Sequence, residues 1–144
     1  MNSGRTILLV EDNPSDIALT RRALRKAGIL NEVVAVEDGQ AALDYLLGAD
    51  AERRVQLLPA VVLLDLNLPM VSGFEVLERI RANDRTRRLP VVILTTSNEP
   101  AEIGRGYDLG VNSYLVKPVD FAQFATVVEN VGLYWLLLNG PPPE

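Results

Sequence analysis

Four consecutive apolar residues, Val61-Val62-Leu63-Leu64, run directly into a carboxylate, Asp65. An unbroken apolar run with β-branched members reads as a strand covered on both faces, as inside parallel sheets flanked by helices. The carboxylate escapes the cost of that burial only at the strand's open end. Beyond it, Leu66 to Gly73 carries a proline and a glycine and reads as a loop. Asp65 is therefore expected at the carboxyl edge of an interior strand, where open α/β sheets place their ligands.

The rest of the chain repeats this grammar. Strands are expected at Ile7–Val10, Glu32–Val36 (an edge strand), Pro90–Thr95 and Ser113–Val116. Helices are expected between them. The first runs to about Ala27 with Ile17, Ala18, Leu19 and Leu24 on its apolar stripe, and Gly28 stops it. The second spans Gly39 to Leu47 with Ala42, Leu43, Leu46 and Leu47 inward, and the third spans Gly73 to Asn83 on Phe74, Val76, Leu77 and Ile80. A weaker helix from Ala101 to Leu109 is interrupted by Gly104 and Gly106, and a last one runs from Asp120 to Leu138. Residues 50–58 read as a charged surface loop. Five β–α units predict a doubly wound, five-stranded parallel α/β sheet with helices on both faces. The domain is expected over residues 5–138, with 139–144 a disordered tail.

Composition narrows the function. A chain of 144 residues suits one domain, and its net charge of −5 lacks the basic footprint of a nucleic-acid binder. With no cysteine and no histidine, thiolate sites, histidine ligation and a phosphohistidine within this chain are excluded. No secretory signal and no stretch of the roughly 20 apolar residues that span a bilayer is apparent, so no membrane association and a cytoplasmic location are expected.

The strand ends carry the chemistry: Glu11 and Asp12 after the first, Asp65 after the third, Thr95 after the fourth and Lys117 after the fifth. In a parallel sheet these ends share one rim. Carboxylates gathered there call for a hard cation, Mg²⁺ or Mn²⁺. A lysine and a hydroxyl beside them suit phosphoryl oxygens. The implied reaction is attack by the Asp65 carboxylate on phosphorus, giving an aspartyl phosphate. Singly, each residue has a plainer role as a cap, a loop or a strand residue. Together, at successive strand ends, they form a pattern.

The motifs Leu9-Val10-Glu11-Asp12-Asn13, Leu64-Asp65-Leu66-Asn67-Leu68-Pro69, Leu94-Thr95-Thr96 and Val116-Lys117-Pro118 resemble those of response-regulator receiver domains, which have the flavodoxin-like, CheY-like fold. The resemblance implies Asp65 as phospho-acceptor, Asp12 as a direct metal ligand and Glu11 as one acting through water. It gives the metal the backbone carbonyl of Asn67, sets Thr95 and Lys117 on the phosphoryl group, and pairs Tyr114 with Thr95 as a switch. It also implies a histidine kinase as donor and a phosphorylation-dependent binding switch without an output domain. The long segment from Leu47 to Pro59, with Asp-Leu-Asn-Leu-Pro and Tyr134-Trp135, is similar to single-domain regulators that accompany bacterial phytochromes. A phosphatase of the haloacid-dehalogenase type fits less well, because Asn67 stands where that class has a second Asp. A flavodoxin proper lacks its hydroxyl-rich phosphate loop after Val10.

Two surfaces are expected to meet partners. Arg21, Arg22, Arg25 and Lys26 would lie near the active rim, facing an acidic patch on a kinase or simply solvent. On the last helix, Val127, Tyr134 and Leu138 form a second apolar stripe beside Phe124, Val128, Val131 and Trp135. An apolar second stripe predicts a homodimer interface.

Overall fold

The computed structural model describes residues 6–48 and 58–117, together with 122, 123 and 126. Five parallel strands form one sheet in the order β2-β1-β3-β4-β5: β1 (Ile7–Val10), β2 (Val33–Val36), β3 (Val61–Leu64), β4 (Val91–Thr95) and β5 (Ser113–Val116). Between them run α1 (Pro14–Lys26), α2 (Gly39–Leu47), α3 (Gly73–Ala82) and α4 (Pro100–Asp108). The expected doubly wound α/β architecture is the one observed. Residues 122, 123 and 126 of the expected last helix are helical. Val127, Tyr134, Leu138 and most of the charged 50–58 segment lie outside the described residues.

The central strands are apolar on both faces because both faces are covered. Leu8, Val10, Val62, Leu64, Val91 and Ile93 point to one side, where Ala42, Leu43, Leu46, Val76, Leu77 and Ile80 of α2 and α3 close over them. Ile7, Leu9, Val61, Leu63, Val92 and Leu94 point to the other and meet Leu24 of α1. The strand period of two divides the core into two layers without any polar alternation. β2, with one neighbour only, is half-buried throughout, as an edge strand must be.

Two local expectations are corrected. The inward face of α1 is Thr20, Ala23 and Leu24, with Ile17 half-buried, whereas Ala18 and Leu19 are exposed. A buried threonine on the inner stripe disguised the 3.6-residue period. The stop itself is as expected: the Gly28 amide donates to Arg25 O and the Ile29 amide to Leu24 O, the paired bonds of a Schellman motif. Helix α4 passes through Gly104 and Gly106 without a break. A Cβ at Gly106 would stand 3.0 Å from Ile93 Cδ1, so glycine there lets the helix lie close on β4. Arg105 of α4 stacks over the ring of Phe74 at 4.3 Å, joining α4 to the start of α3.

The basic residues of α1 are also relocated. The helix starts at the rim and runs back against the strand direction, so its second half ends at the opposite edge. There Arg21 Nη1 donates to Val33 O at 3.0 Å, at the first residue of β2. Arg22, Arg25 and Lys26 are exposed. Among the described residues no helix is long and apolar enough to cross a membrane.

Candidate functional site

The register of the sheet assembles the site. Val10 pairs with Leu64, and the Asp65 amide donates to Val10 O at 3.0 Å, so Glu11 and Asp65 leave neighbouring strands side by side. On the other flank Thr95 pairs with Val116, and the Lys117 amide donates to Thr95 O at 2.8 Å. The loop after β3 folds back on itself. Gly73 N donates to Leu66 O, and Ser72 caps α3 by accepting from Glu75 N. Gly73 is dictated by space: a Cβ there would meet the Asp65 carbonyl oxygen at 2.4 Å. In the same loop Met70 is held at φ 74°, a left-handed conformation uncommon for a residue with a side chain.

Carboxylate oxygens of Glu11, Asp12 and Asp65 all lie within 4.8 Å of one another. Glu11 is 1% and Asp65 5% exposed, while Asp12 stands open to solvent. An all-oxygen, anionic donor set with one open side fits Mg²⁺ or Mn²⁺ and offers no soft ligand for other metals. The Asn67 amide donates to Asp65 Oδ1 at 3.3 Å, placing that peptide against the cluster. The Asn13 amide donates to Glu11 Oε2.

Lys117 closes the site from β5. Its Nζ donates to Glu11 Oε1 at 2.5 Å, to Asp16 Oδ2 at 2.9 Å and to Asp65 Oδ2 at 3.4 Å. Burial opposes the charge of Lys117, but the bonds to Glu11 and Asp16 and the charge of Asp65 outweigh it and raise its pKa above the ordinary lysine value. Burial raises the pKa of the Glu11 carboxyl. The Asp65 charge adds to that, and the bond to Lys117 offsets part of it.

Thr95 is wholly buried, and its hydroxyl accepts from the Ser97 amide at 3.3 Å. Tyr114 is half-buried and donates from its hydroxyl to the Ser97 carbonyl at 3.0 Å. Burial, with the nearby charge of Glu102, raises its phenol pKa.

All the strand-end residues named from the sequence thus meet on one rim. Two neighbours were missed there. Asp16 is the third residue of a helix capped by Asn13, whose side chain accepts from Asp16 N at 3.1 Å. Its place in the first turn of α1 brings it to Lys117, a position visible in sequence only once the helix start is placed. Ser97 links Thr95 to Tyr114 through backbone atoms, which no side-chain pattern reveals.

Known proteins resemble this chain over most of its length. The response regulator receiver domain matches residues 7–129. The solved bacteriophytochrome response regulator AtBRR is 49% identical with a TM-score of 0.83, covering 96% of this chain and 100% of its own. The probable methanogenesis regulatory protein FilR2 of Methanothrix harundinacea is 45% identical over 94% of this chain and 86% of its own. Response regulator Rcp1 of Synechocystis is 37% identical over 94% of this chain and 91% of its own. The Mn²⁺-bound form of Rcp1 has a TM-score of 0.73, covering 92% of this chain and 94% of its own. The chain is therefore a member of the response-regulator receiver family, signalling switches that accept a phosphoryl group from a histidine kinase.

Proposed function

We propose that Asp65 is the phospho-acceptor of this receiver. The observation that carries this reading is the rim itself: a buried carboxylate within 3.4 Å of a lysine ammonium, inside an acidic trio. An Asp65 oxygen attacks the phosphorus of a phosphohistidine. The O–P bond of an acyl phosphate forms as the P–N bond breaks and its electron pair leaves with the imidazole. Lys117 meets the added negative charge, and Thr95 donates its hydroxyl to a phosphoryl oxygen. Asp12 and Asp65 would hold the divalent cation, with Glu11 acting through water and Asn67 through its carbonyl. The cation supplies charge neutralisation during transfer.

Thr95 and Tyr114 form the switch in this reading. When the Thr95 hydroxyl turns to the phosphoryl group it gives up the Ser97 amide, and Tyr114, bonded to the same residue, moves with it. The shared partner Ser97 supports this coupling. The kinase is read as a bacteriophytochrome, supported by likeness to AtBRR and to RtBRR, which is 48% identical with a TM-score of 0.82. The receiver unit is taken to run over residues 5–138, with 139–144 as its tail, in the cytoplasm with its kinase. The sequence pattern of Val127, Tyr134 and Leu138, which as a helix would make a second apolar stripe, supports a homodimer built on a twofold axis.

One experiment tests the reading. With acetyl phosphate and Mg²⁺, the intact mass rises by one phosphoryl group in the wild type and stays constant in Asp65→Asn. Sedimentation of the same samples at micromolar concentration gives a dimer. Labelling of Asp65→Asn at the wild-type rate removes the acceptor assignment. A monomer with and without phosphate removes the dimer.

A further inference from the structure

An ammonium group has three N–H donors, and Lys117 directs them to three different carboxylates. Two of those acceptors, Glu11 and Asp65, belong to the acidic trio whose oxygens cluster within 4.8 Å. The third, Asp16, does not. It approaches from α1 at 2.9 Å, with its side chain 29% exposed, while Glu11 approaches from the buried side at 1%. The positions of Asp16 and Lys117 are set separately: Asp16 by the Asn13 cap, and Lys117 by its backbone bond to Thr95. A divalent cation would draw on Asp65 directly and on Glu11 through water, and a phosphoryl group on Asp65 takes one carboxylate oxygen and its charge, leaving a neutral carbonyl. Asp16, outside the trio, then keeps its whole carboxylate for the lysine.

We infer that Asp16 is a positioning residue, which holds the Lys117 ammonium beside Asp65 when cation and phosphoryl group occupy the cluster. The inference rests on the phospho-acceptor reading above. The plainer role for Asp16, a first-turn acid favoured by the helix dipole, would leave Lys117 and phosphoryl binding untouched.

The chain has only two lysines, Lys26 and Lys117. Lysine-selective labelling therefore reads Lys117 directly, with exposed Lys26 as internal reference. The probe is fluoroberyllate, a phosphoryl mimic, at saturating Mg²⁺. In the wild type, Lys117 is expected to give an ammonium ¹⁵N signal distinct from Lys26 and protected from exchange with water. In Asp16→Ala that signal should broaden or collapse towards Lys26. Fluoroberyllate affinity should fall roughly tenfold, as when an outer partner of a functional group is removed. Mg²⁺ affinity should stay near the wild-type value, because Asp16 lies outside the trio. Asp16→Glu should restore both the signal and most of the affinity. If Asp16→Ala does not fold, Asp16→Ser, which also lacks the carboxylate, replaces it. Wild-type or tighter fluoroberyllate affinity without the Asp16 carboxylate overturns the proposal. So does a tenfold loss that leaves the Lys117 signal unchanged, because Asp16 would then act by another route. No fluoroberyllate binding by the wild type overturns the phospho-acceptor reading itself.

Discussion

The two edges of the sheet are each organised around one half-buried cation, and they treat it in opposite ways. At the carboxyl rim Lys117 faces three carboxylates, and a further acid, Asp12, stands beside them. At the amino edge Arg81, near the end of α3, faces neutral oxygens. Its Nε and Nη2 donate to Gly110 O at 2.9 and 2.7 Å, and its Nη1 to Leu89 O at 2.7 Å and Arg87 O at 3.1 Å. Its Nη2 also reaches Asn112 Oδ1 at 3.1 Å, an oxygen that accepts from Val91 N at 2.8 Å as well. Burial lowers the pKa of Arg81, yet guanidinium keeps its charge at any ordinary pH. The planar fork ties α3 to the turns before β4 and β5 in one fixed geometry. The rim has an excess of negative charge that a cation and a phosphoryl group can rearrange, whereas the N–H donors of Arg81 at the amino edge are met by neutral oxygens. The proposed phosphoryl chemistry uses the edge with unbalanced charge, while the cation at the other edge holds α3 through neutral partners.

The sharpest way to break that contrast is Arg81→Ala. It strands the carbonyls of Gly110 and Leu89 and should lower unfolding stability by about 2–3 kcal/mol. Arg81→Lys should recover less than half, since an ammonium cannot reproduce the fork. Urea unfolding followed by circular dichroism measures both, and an Arg81→Ala midpoint equal to wild type would show the amino edge is not the structural one.

At the rim the sign should reverse. Asp12→Asn removes one repelling charge and, without divalent cations, should raise the Tm by roughly 2–4 °C. Added Mg²⁺ should then stabilise the wild type by linkage and leave the variant nearly unchanged. A lower Tm for Asp12→Asn in EDTA would mean that the acidic trio is not under repulsion.

The smallest effect belongs to Tyr114→Phe. Below pH 10, the ordinary phenol value, folded and unfolded chains both hold the proton, and the ionisation contributes nothing to stability. Above it the unfolded chain ionises first, so wild-type stability falls as pH rises through the raised folded value. The variant lacks that fall, and near neutrality it loses only the bond to Ser97, about 1 kcal/mol. Absorbance titration should show that a phenol titrating above the ordinary value is missing in Tyr114→Phe. If instead a tyrosine titrating near pH 10 disappears, Tyr114 is not the buried phenol described above.

How much was legible beforehand follows from the range of each interaction. Strand and helix identities depend on short periods and caps, so Val61–Leu64, Gly39–Leu47 and the stop at Gly28 could be read locally. The strand-end residues could be named because a parallel sheet brings every strand's carboxyl end to one rim, a rule that needs only the order of elements. Where a local signal was mixed, the reading slipped: Thr20 hid the inner stripe of α1, and two glycines made a continuous α4 look broken. The arginines of α1 were placed at the wrong edge, although the same order of elements already requires α1 to run from the rim back to the amino edge.

Sequence alone was enough to determine the parallel α/β layering and the set Glu11, Asp12, Asp65, Thr95 and Lys117, because these depend on burial pattern and strand ends, while the family was reached through the resemblance of its motifs. Only the tertiary structure decided that Asp16 shares Lys117, that Ser97 joins Thr95 to Tyr114, and that Arg81 closes the far edge with neutral oxygens. Those contacts join residues whose meeting depends on side-chain direction and loop path to within an ångström or so, and hydrogen bonds weaken steeply outside that tolerance.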